Sequence, residues 1–262
     1  ETLDNLVLNG TYEELGSDLV TNGDFSTAGT LTSSSYSLGW SSPDSGISIS
    51  SGVLNLTRVS SGGRAYASNG SNGGLAITSG KTYQLTYTIT ENTDNSTLQY
   101  HNGGAYVSTS SSVPGTYTVT YVAAGTIFLF RNNSIDTTIK LDNVSLKQVD
   151  PNNRWTLGTG WSIEDGKAVA VATDTAGFSI TQSNVLTAGV PHEITFTVSE
   201  RTAGNVRFRA DAVSGTTRSA DGTYTEIITP AGHQFAIQGL NSFVGKIDNV
   251  TVREYAIQPQ DV

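Results

Sequence analysis

The chain has 262 residues, with 14 lysines and arginines against 23 aspartates and glutamates, so its formal net charge is −9. This excess of acidic side chains, without a basic stripe, argues against binding to nucleic acid or to an anionic membrane surface. The absence of cysteine excludes disulfides, thiolate metal ligands and cysteine nucleophiles. No run of the sequence approaches the roughly 18 apolar residues of a membrane-spanning helix.

The first predicted element is an N-terminal segment over 1–17. Within it, TLDNLVLNG at 2–10 is similar to LDNVSL at 141–146. We therefore interpret 1–17 either as an extended arm or as the closing strand of a preceding module. In both cases an exposed strand of this kind can pair with a sheet edge of its own or of another chain.

The next element is a β-rich module over 18–148. Its apolar residues alternate with polar ones, as in Tyr83, Leu85, Tyr87 and Ile89, which is the period of strands with one buried face. Pairs such as Asn-Gly, Pro-Gly and Asp-Gly recur along the chain and are typical of tight turns between short strands. No stretch shows a helical period of about 3.6 residues.

A second module over 149–262 repeats the first. The repeated stretches are ITSGKTYQLTYTITE at 77–91 with LTAGVPHEITFTVSE at 186–200, PGTYTVTY at 114–121 with DGTYTEII at 221–228, and IKLDNVSLK at 139–147 with GKIDNVTVR at 245–253. A repeat of more than about 50 residues is too long for a solenoid unit, so each copy is expected to have its own core. The fold class predicted is all-β, with two tandem jelly-roll β-sandwich domains.

The tryptophans suggest a further match between the modules. Trp40 and Trp161 each follow a glycine at the start of their copy, so we interpret them as equivalent core residues. Trp155 has no evident counterpart in the first module.

A candidate binding face follows from aligning the two copies. Gln99 and His101 correspond to Arg207 and Arg209, and alternation directs these four side chains away from the core residues Tyr100 and Phe208. If their strand lies in a concave sheet, the four are candidate ligand-binding residues. Tyr66 and Tyr106 are candidate stacking platforms for a sugar ring. The alternative is a solvated polar face without a ligand.

Signatures of catalysis are absent from the sequence. There is no G-x-S-x-G, H-E-x-x-H or P-loop motif, and the three histidines stand without spaced partners. Glu91 and Glu200 occupy equivalent strand ends, which is explained more simply by the shared fold than by two active sites. The sequence therefore predicts a protein that is not an enzyme.

Several motifs together resemble a known family. LVTNGDFS at 19–26, Gly-Trp at 39–40, the strand SGKTYQLTYTI and the closing LDNVSL resemble galactose-binding-like carbohydrate-binding modules, the jelly-roll type found beside xylanases and cellulases. NRWTLGTGWSIEDGKAVA at 153–170 is similar to modules in tail, fibre and head-decoration proteins of bacteriophages. The second copy has no NGDF opening at its own start.

The resemblance implies a sugar site and a metal site. Sugars would lie across a shallow concave sheet and stack on aromatic rings. A structural calcium ion would take carboxylates from Asp24 and Asp142 in the first copy and from Asp248 in the second, because calcium prefers oxygen ligands. The alternative is that Asp142 and Asp248 hydrogen-bond the backbone.

The resulting functional hypothesis is a non-enzymatic virion protein at the surface of a bacteriophage, in a tail, fibre or head decoration, that binds glycans weakly. Its expected partners are other virion subunits and host-surface or environmental glycans. The resemblance implies a homo-oligomer, with a trimer as the expected state. The alternative is a tandem carbohydrate-binding module of a secreted polysaccharide-degrading enzyme.

Overall fold

The computed structural model describes residues 4–59, 64–67, 75, 77–92, 94–171 and 179–255, with no side-chain description for Tyr36, Tyr66 and Ala67. Within these ranges the structure is all-β, apart from one 3-10 turn at Tyr36–Leu38. No helix in the described part of the chain is long and apolar enough to cross a bilayer. The chain divides into two compact units, and the division is not a simple cut. One unit is Leu15–Val149, which we call the continuous unit; the other combines Glu1–Glu14 with Asp150–Val262, which we call the split unit.

The continuous unit contains strands β1 to β12 among its described residues. They are β1 (Leu15–Asp18), β2 (Gly29–Thr30), β3 (Trp40–Ser41), β4 (Ile47–Ser50), β5 (Val53–Arg58), β6 (Arg64–Ala67), β7 (Thr82–Asn92), β8 (Leu98–His101), β9 (Tyr106–Ser108), β10 (Gly115–Val122), β11 (Leu129–Asn132) and β12 (Thr137–Val149). One sheet has the order β10-β7-β12-β5-β4-β2, with β1 also beside β12, and the other has the order β3-β6-β11-β8-β9. Every pairing is antiparallel.

The buried faces of these two sheets share one core. The predicted alternation in β7 is confirmed, since Tyr83, Leu85, Tyr87 and Ile89 are all buried. Tyr87 meets Phe130 of the other sheet with ring centroids 5.4 Å apart and the rings edge to face. Aromatic pairs in this arrangement contribute about 0.5–1.5 kcal/mol beyond the area that they bury.

The split unit contains strands β13 to β20 among its described residues. They are β13 (Thr156–Leu157), β14 (Trp161–Glu164), β15 (Lys167–Val171), β16 (Ser179–Gln182), β17 (His192–Ala210), β18 (Val213–Ser214), β19 (Gly222–Ile228) and β20 (Phe235–Glu254). Their order is β13-β16-β20-β15-β14, and β17 pairs with β18, β19 and β20. All eight therefore form one antiparallel sheet, in contrast to the two sheets of the continuous unit.

The two long strands β17 and β20 explain this difference. Their ladder is interrupted by register shifts between Ser199 and Asn205 and then resumes. Gly204 takes a φ of 63° there, a conformation that glycine adopts without strain. β17 thus continues through the point at which β7 ends and β8 starts as a separate strand.

Residues 4–14, which we call the N-terminal segment, pack on the end of β20. The amide of Leu6 donates to the carbonyl oxygen of Val252 at 2.8 Å, and the amide of Val250 donates to that of Gly10 at 2.9 Å. Val7 is buried among the residues of this unit.

Residues 17–27, which we call the internal opening segment, make the same bonds in the continuous unit. The amide of Leu19 donates to the carbonyl oxygen of Leu146 at 2.9 Å, and the amide of Val144 donates to that of Gly23 at 2.8 Å. Leu146 and Val144 lie in β12, the counterpart of the end of β20. The two segments, LVLNGTY at 6–12 and LVTNGDF at 19–25, therefore occupy equivalent places.

The tryptophan that covers each segment extends this equivalence. Trp155 Nε1 donates to the carbonyl oxygen of Asn9 at 2.9 Å, and its ring lies 5.1 Å from that of Tyr12. Trp40 Nε1 likewise donates to the carbonyl oxygen of Asn22 at 3.2 Å, with its ring 5.4 Å from Phe25.

The structure refines the sequence interpretation in two places. The N-terminal segment is the opening segment of the split unit; an arm that pairs with a strand of its own chain fits this position, whereas the closing strand of a preceding module does not. The counterpart of Trp40 is Trp155, because each donates a hydrogen bond to the asparagine and packs on the aromatic ring of its opening segment. Trp161, in β14, packs instead on Phe243 in β20. The Gly-Trp pairs in the sequence matched Trp40 with Trp161, but the tertiary contacts show that Trp155 is the equivalent residue.

Candidate functional site

In the continuous unit, the predicted binding residues lie on one sheet. β6, β11, β8 and β9 are successive neighbours, and they carry Tyr66, Gln99, His101 and Tyr106. Gln99 and His101 are half-buried on the outward side of β8, while Leu98 and Tyr100 are buried in the core. The prediction that Tyr100 belongs to the core is therefore confirmed. The backbone of Tyr66 pairs with Leu129 in β11, but its side chain lies outside the described part of the structure.

Tyr106 lies at the centre of a small polar cluster on this face. It is directly opposite His101, whose ring lies edge to face with its centroid 4.9 Å away. The guanidinium of Arg131 lies 4.7 Å from the centroid of the Tyr106 ring, a cation–π distance. The residue Tyr106 is 36% exposed. The ring is thus accessible to a ligand, with a cation and an imidazole beside it.

The imidazole of His101 is neutral at neutral pH. Burial lowers its pKa, because desolvation disfavours the charged form, and this outweighs an opposing hydrogen bond with the backbone of Ile127. Its Nδ1 accepts a hydrogen bond from the amide of Gly103 at 3.0 Å. The hydrogen bond with Ile127 must then be donated by the other ring nitrogen, Nε2, so both nitrogens of the imidazole are engaged with the backbone.

In the split unit, Arg207 and Arg209 occupy the outward side of β17. Their neighbours in β20 are Gln238 and Ala236, and Arg207 Nε donates to Gln238 Oε1 at 3.1 Å. The alternation that directs them outward is confirmed by Phe208 between them, which is fully buried.

A polar pocket of about 130 Å³ opens beside Arg209; it is lined by Ser179, Arg209, Asp211, Gln234, Ala236 and Gln238. Arg207 and Arg209 form no ion pair with any described residue, whereas Arg218 in the same unit is paired with Glu226. Arg209 Nε is buried and has no hydrogen-bond partner within the described structure.

The predicted calcium carboxylates are engaged in local hydrogen bonds. Asp24 accepts from the amide and the hydroxyl of Ser26, at 3.3 and 3.1 Å. Asp142 accepts from the amide of Asn143 at 2.7 Å, and Asp248 accepts from the amide of Asn249 at 2.6 Å.

No group of three or more His, Asp or Glu side chains able to hold a metal occurs in the described ranges. Lys167 also lies 3.5 Å from the carboxylate of Asp248, which opposes a cation there. Calcium binding at Asp24, Asp142 and Asp248 stays a prediction.

The two equivalent glutamates are paired with equivalent lysines. Glu91 lies 2.6 Å from Lys140, and Glu200 lies 2.7 Å from Lys246. The pKa of Lys246 is raised by its hydrogen bond with Glu200.

The sequence reasoning did not find Arg131, Gln238 or the pocket beside Arg209. Arg131 and Gln238 alternate with buried residues in LFRN at 129–132 and AIQG at 236–239, so their outward direction was readable. What was not readable is that β11 lies beside β8 and that β20 lies beside β17.

No protein-family model matches the chain, and a search of curated proteins returns no match. Among solved structures, the chain is similar to the N-terminal CBM22-1–CBM22-2 tandem domain of Xyn10C from Paenibacillus barcinonensis, with 10% identity, a TM-score of 0.31, and coverage of 95% of this chain and 93% of that one. It is also similar to a Paenibacillus xanthan lyase, with 15% identity and a TM-score of 0.29, covering 83% of this chain and 25% of that one. For allantoicase from Saccharomyces cerevisiae, the identity is 8%, the TM-score 0.29, and the coverage 73% and 77%.

Proposed function

We propose that this chain is a non-enzymatic glycan-binding protein whose main binding surface is the outward face of β16, of 206–210 in β17 and of 235–239 in β20, all in the split unit. The observation that supports this most directly is Arg209, which lines a polar pocket and forms no ion pair within the described ranges. Arg207 and Gln238 extend the same surface with a hydrogen-bonded pair. We further propose that both units are jelly-roll sandwiches of the carbohydrate-binding-module type.

The chemistry of the surface suits sugar hydroxyls. Guanidinium and amide groups present several donors in fixed planes, and an amide oxygen accepts from a hydroxyl. The pocket of about 130 Å³ is smaller than the roughly 300–1,000 Å³ that enclose a drug-sized ligand. Binding would therefore be shallow and mostly polar, with a dissociation constant on the order of millimolar to micromolar.

The continuous unit supplies a second surface of different character. There, Tyr106 offers a partly exposed ring, with Arg131 and His101 beside it. Aromatic rings bind the apolar faces of sugars, whereas the surface of the split unit has no aromatic side chain lining its pocket. Two weak sites in one chain would act together on a polymeric glycan.

The test is a glycan-array screen of the intact chain, with and without calcium, beside the double variant Arg207→Ala, Arg209→Ala. We expect selective binding that the variant loses. The matched control is Thr195→Ala, Thr225→Ala, which removes an exposed hydroxyl pair elsewhere in the same unit and should leave binding unchanged. Silence across polysaccharides, or equal loss in both variants, would refute the proposal. A requirement for calcium would revive a role for Asp24, Asp142 or Asp248.

The setting of the protein is a separate part of the proposal. The similarity of 153–170 to phage modules favours a homo-oligomeric virion component at the virion surface, and LVTNGDFS at 19–26 fits a secreted polysaccharide-degrading enzyme as well. Immunodetection of the chain in purified virions would support the first setting. A catalytic domain encoded in the same reading frame would support the second.

A further inference from the structure

The two opening segments are interchangeable in chemistry. LVLNGTY at 6–12 and LVTNGDF at 19–25 share Leu, Val, Asn and Gly at the same positions and end on an aromatic residue. Each segment bonds through its leucine amide and its glycine carbonyl, and each lies under a tryptophan. Each segment is folded as a tight turn, closed by a bond from the aromatic residue's amide to the asparagine carbonyl oxygen, 3.1 Å in one and 3.3 Å in the other. The groove that receives such a segment is formed by the end of β20 with Trp155 in the split unit and by β12 with Trp40 in the continuous unit, and it recognises the pattern L-V-x-N-G-x-aromatic in this turn.

The asparagine and the glycine explain this specificity. Asn9 and Asn22 both take positive φ values, 51° and 53°, which asparagine tolerates better than most residues. A Cβ atom added at Gly10 would lie 2.1 Å from the carbonyl oxygen of Val250. Only a segment with glycine at this position can approach β20 closely enough to form the backbone bonds.

The two segments differ in how they are connected to their units. The internal opening segment leads directly into its own unit, since β2 begins at Gly29. The N-terminal segment is followed by the entire continuous unit, and the chain returns to the split unit only at Asp150. No short loop therefore ties the N-terminal segment to the strands that it completes.

The exit from the segment is held by a few bonds. Glu14 accepts from the amide of Asp150 at 2.9 Å through its carbonyl oxygen, and its carboxylate lies 3.3 Å from Arg154 Nε. The strand that follows, β1, is short and mostly exposed, and its pairing with β12 contains a register shift between Leu15 and Asp18. Freeing Glu14 and the first residues of β1 would open this connection, while the bonds of Leu6, Asn9 and Gly10 could still hold a segment in the groove.

We infer that the groove of the split unit accepts the N-terminal segment of a second copy of this chain, and that two copies exchange these segments to form a dimer. The exchanged segment forms every contact with the partner that it forms within one chain, so only the hinge near Glu14 and Leu15 changes. Exchange of an identical element is a low-cost route to a closed dimer. This inference does not rest on glycan binding, although a dimer would double the number of polar faces.

The test uses two full-length variants, neither of which can complete a split unit from its own chain. Gly10→Val prevents the segment from docking but leaves the groove intact, and Trp155→Ala removes a hydrogen-bond donor and a packing ring from the groove but leaves the segment intact. We expect the two variants, mixed in denaturant and refolded together, to form a 1:1 dimer by size-exclusion chromatography with light scattering. Each variant alone should remain monomeric.

The equivalent pair in the continuous unit is the control. Gly23→Val and Trp40→Ala make the same changes where the segment is tied to its own unit, so their mixture should not form dimers. Dimers in this control at the same level would overturn the inference, as would a monomeric mixture of Gly10→Val and Trp155→Ala.

A second measurement separates docking from exchange. A fluorescent peptide of residues 4–14 should bind the full-length Gly10→Val variant saturably, and a peptide carrying the same Gly10→Val change should bind about tenfold more weakly or worse. Peptide binding without dimers in the mixture of variants would overturn exchange between copies. Absence of both would overturn recognition of the segment as well.

Discussion

Replacing Gly10 by alanine tests the assignment of the N-terminal segment. The added Cβ would lie 2.1 Å from the carbonyl oxygen of Val250, well inside the 3.0 Å below which Cβ contacts are essentially never observed. Because the obstacle is backbone, the segment must move outward by about 1 Å, which strains the 2.9 Å bond from the amide of Val250. Overpacking of this kind costs about 1–3 kcal/mol, and loss of the bond adds about 0.5–1.5 kcal/mol. We therefore expect the split unit to lose about 2–4 kcal/mol.

Gly23→Ala is the matched change in the continuous unit, where the added Cβ would lie 2.0 Å from the carbonyl oxygen of Val144. For units of this size, each kcal/mol lowers the melting temperature by about 3–6 °C. Differential scanning calorimetry of the intact chain should show a separate transition lowered by each variant. Hydrogen exchange should report faster exchange at Val250 for Gly10→Ala and at Val144 for Gly23→Ala. If Gly10→Ala left Val250 protected, or if both variants affected only Val144, the placement of the N-terminal segment would be wrong.

Three further substitutions test local features. Tyr12→Phe should stabilise the split unit by about 1 kcal/mol in chemical denaturation, because the buried hydroxyl has no partner within the described structure and the equivalent Phe25 lacks it; a loss of stability would reveal a hidden hydrogen bond. His101→Gln should flatten the pH dependence of the continuous unit's melting temperature. Burial lowers the pKa of His101 in the folded state, so the neutral imidazole contributes its full stability above about pH 6.5, and that contribution is lost as the pH falls through the lowered pKa. Asp44→Asn should destabilise the same unit at neutral pH, because the hydrogen bond with Arg64 lowers the pKa of Asp44 in the folded state; the destabilisation should shrink only as the pH falls below the ordinary value of 3.8 and through the lowered folded pKa, and equal destabilisation at neutral pH and in strong acid would contradict this.

The sequence predicts the strands well because alternation is a local property. The buried positions of β7 and the outward positions of Gln99, His101, Arg207 and Arg209 all follow from period two. The place of the N-terminal segment does not, because it depends on pairing with residues that lie more than 230 positions away in the sequence, such as Leu6 with Val252. A signal was present in the match of LVLNG with LVTNG, but the match of the same stretch with LDNVSL competed with it.

The candidate site was only half predictable for a related reason. A strand's outward residues can be read from its own sequence, but the residues beside them belong to whichever strand the topology places next to it. Gln99 thus has Arg131 as its neighbour, and Arg207 has Gln238. The aligned copies could not reveal these pairs without knowledge of the sheet order.

The same two kinds of side chain are neighbours on the outward face of each unit. At one row of the sheet the continuous unit has Gln99 on β8 opposite Arg131 on β11, and the split unit has Arg207 on β17 opposite Gln238 on β20. One guanidinium and one amide thus occupy the same two positions in both units, with their strands exchanged.

The next row of the sheet differs between the units. In the continuous unit, His101 faces the ring of Tyr106. In the split unit, Arg209 faces Ala236 and Ser214. Under the proposed function, the shared polar row would bind the same kind of ligand oxygen in both units, and the second row would set the difference between them. There the split unit offers the guanidinium of Arg209 with the carboxylate of Asp211 beside it, whereas the continuous unit offers the ring of Tyr106 with the guanidinium of Arg131 beside it.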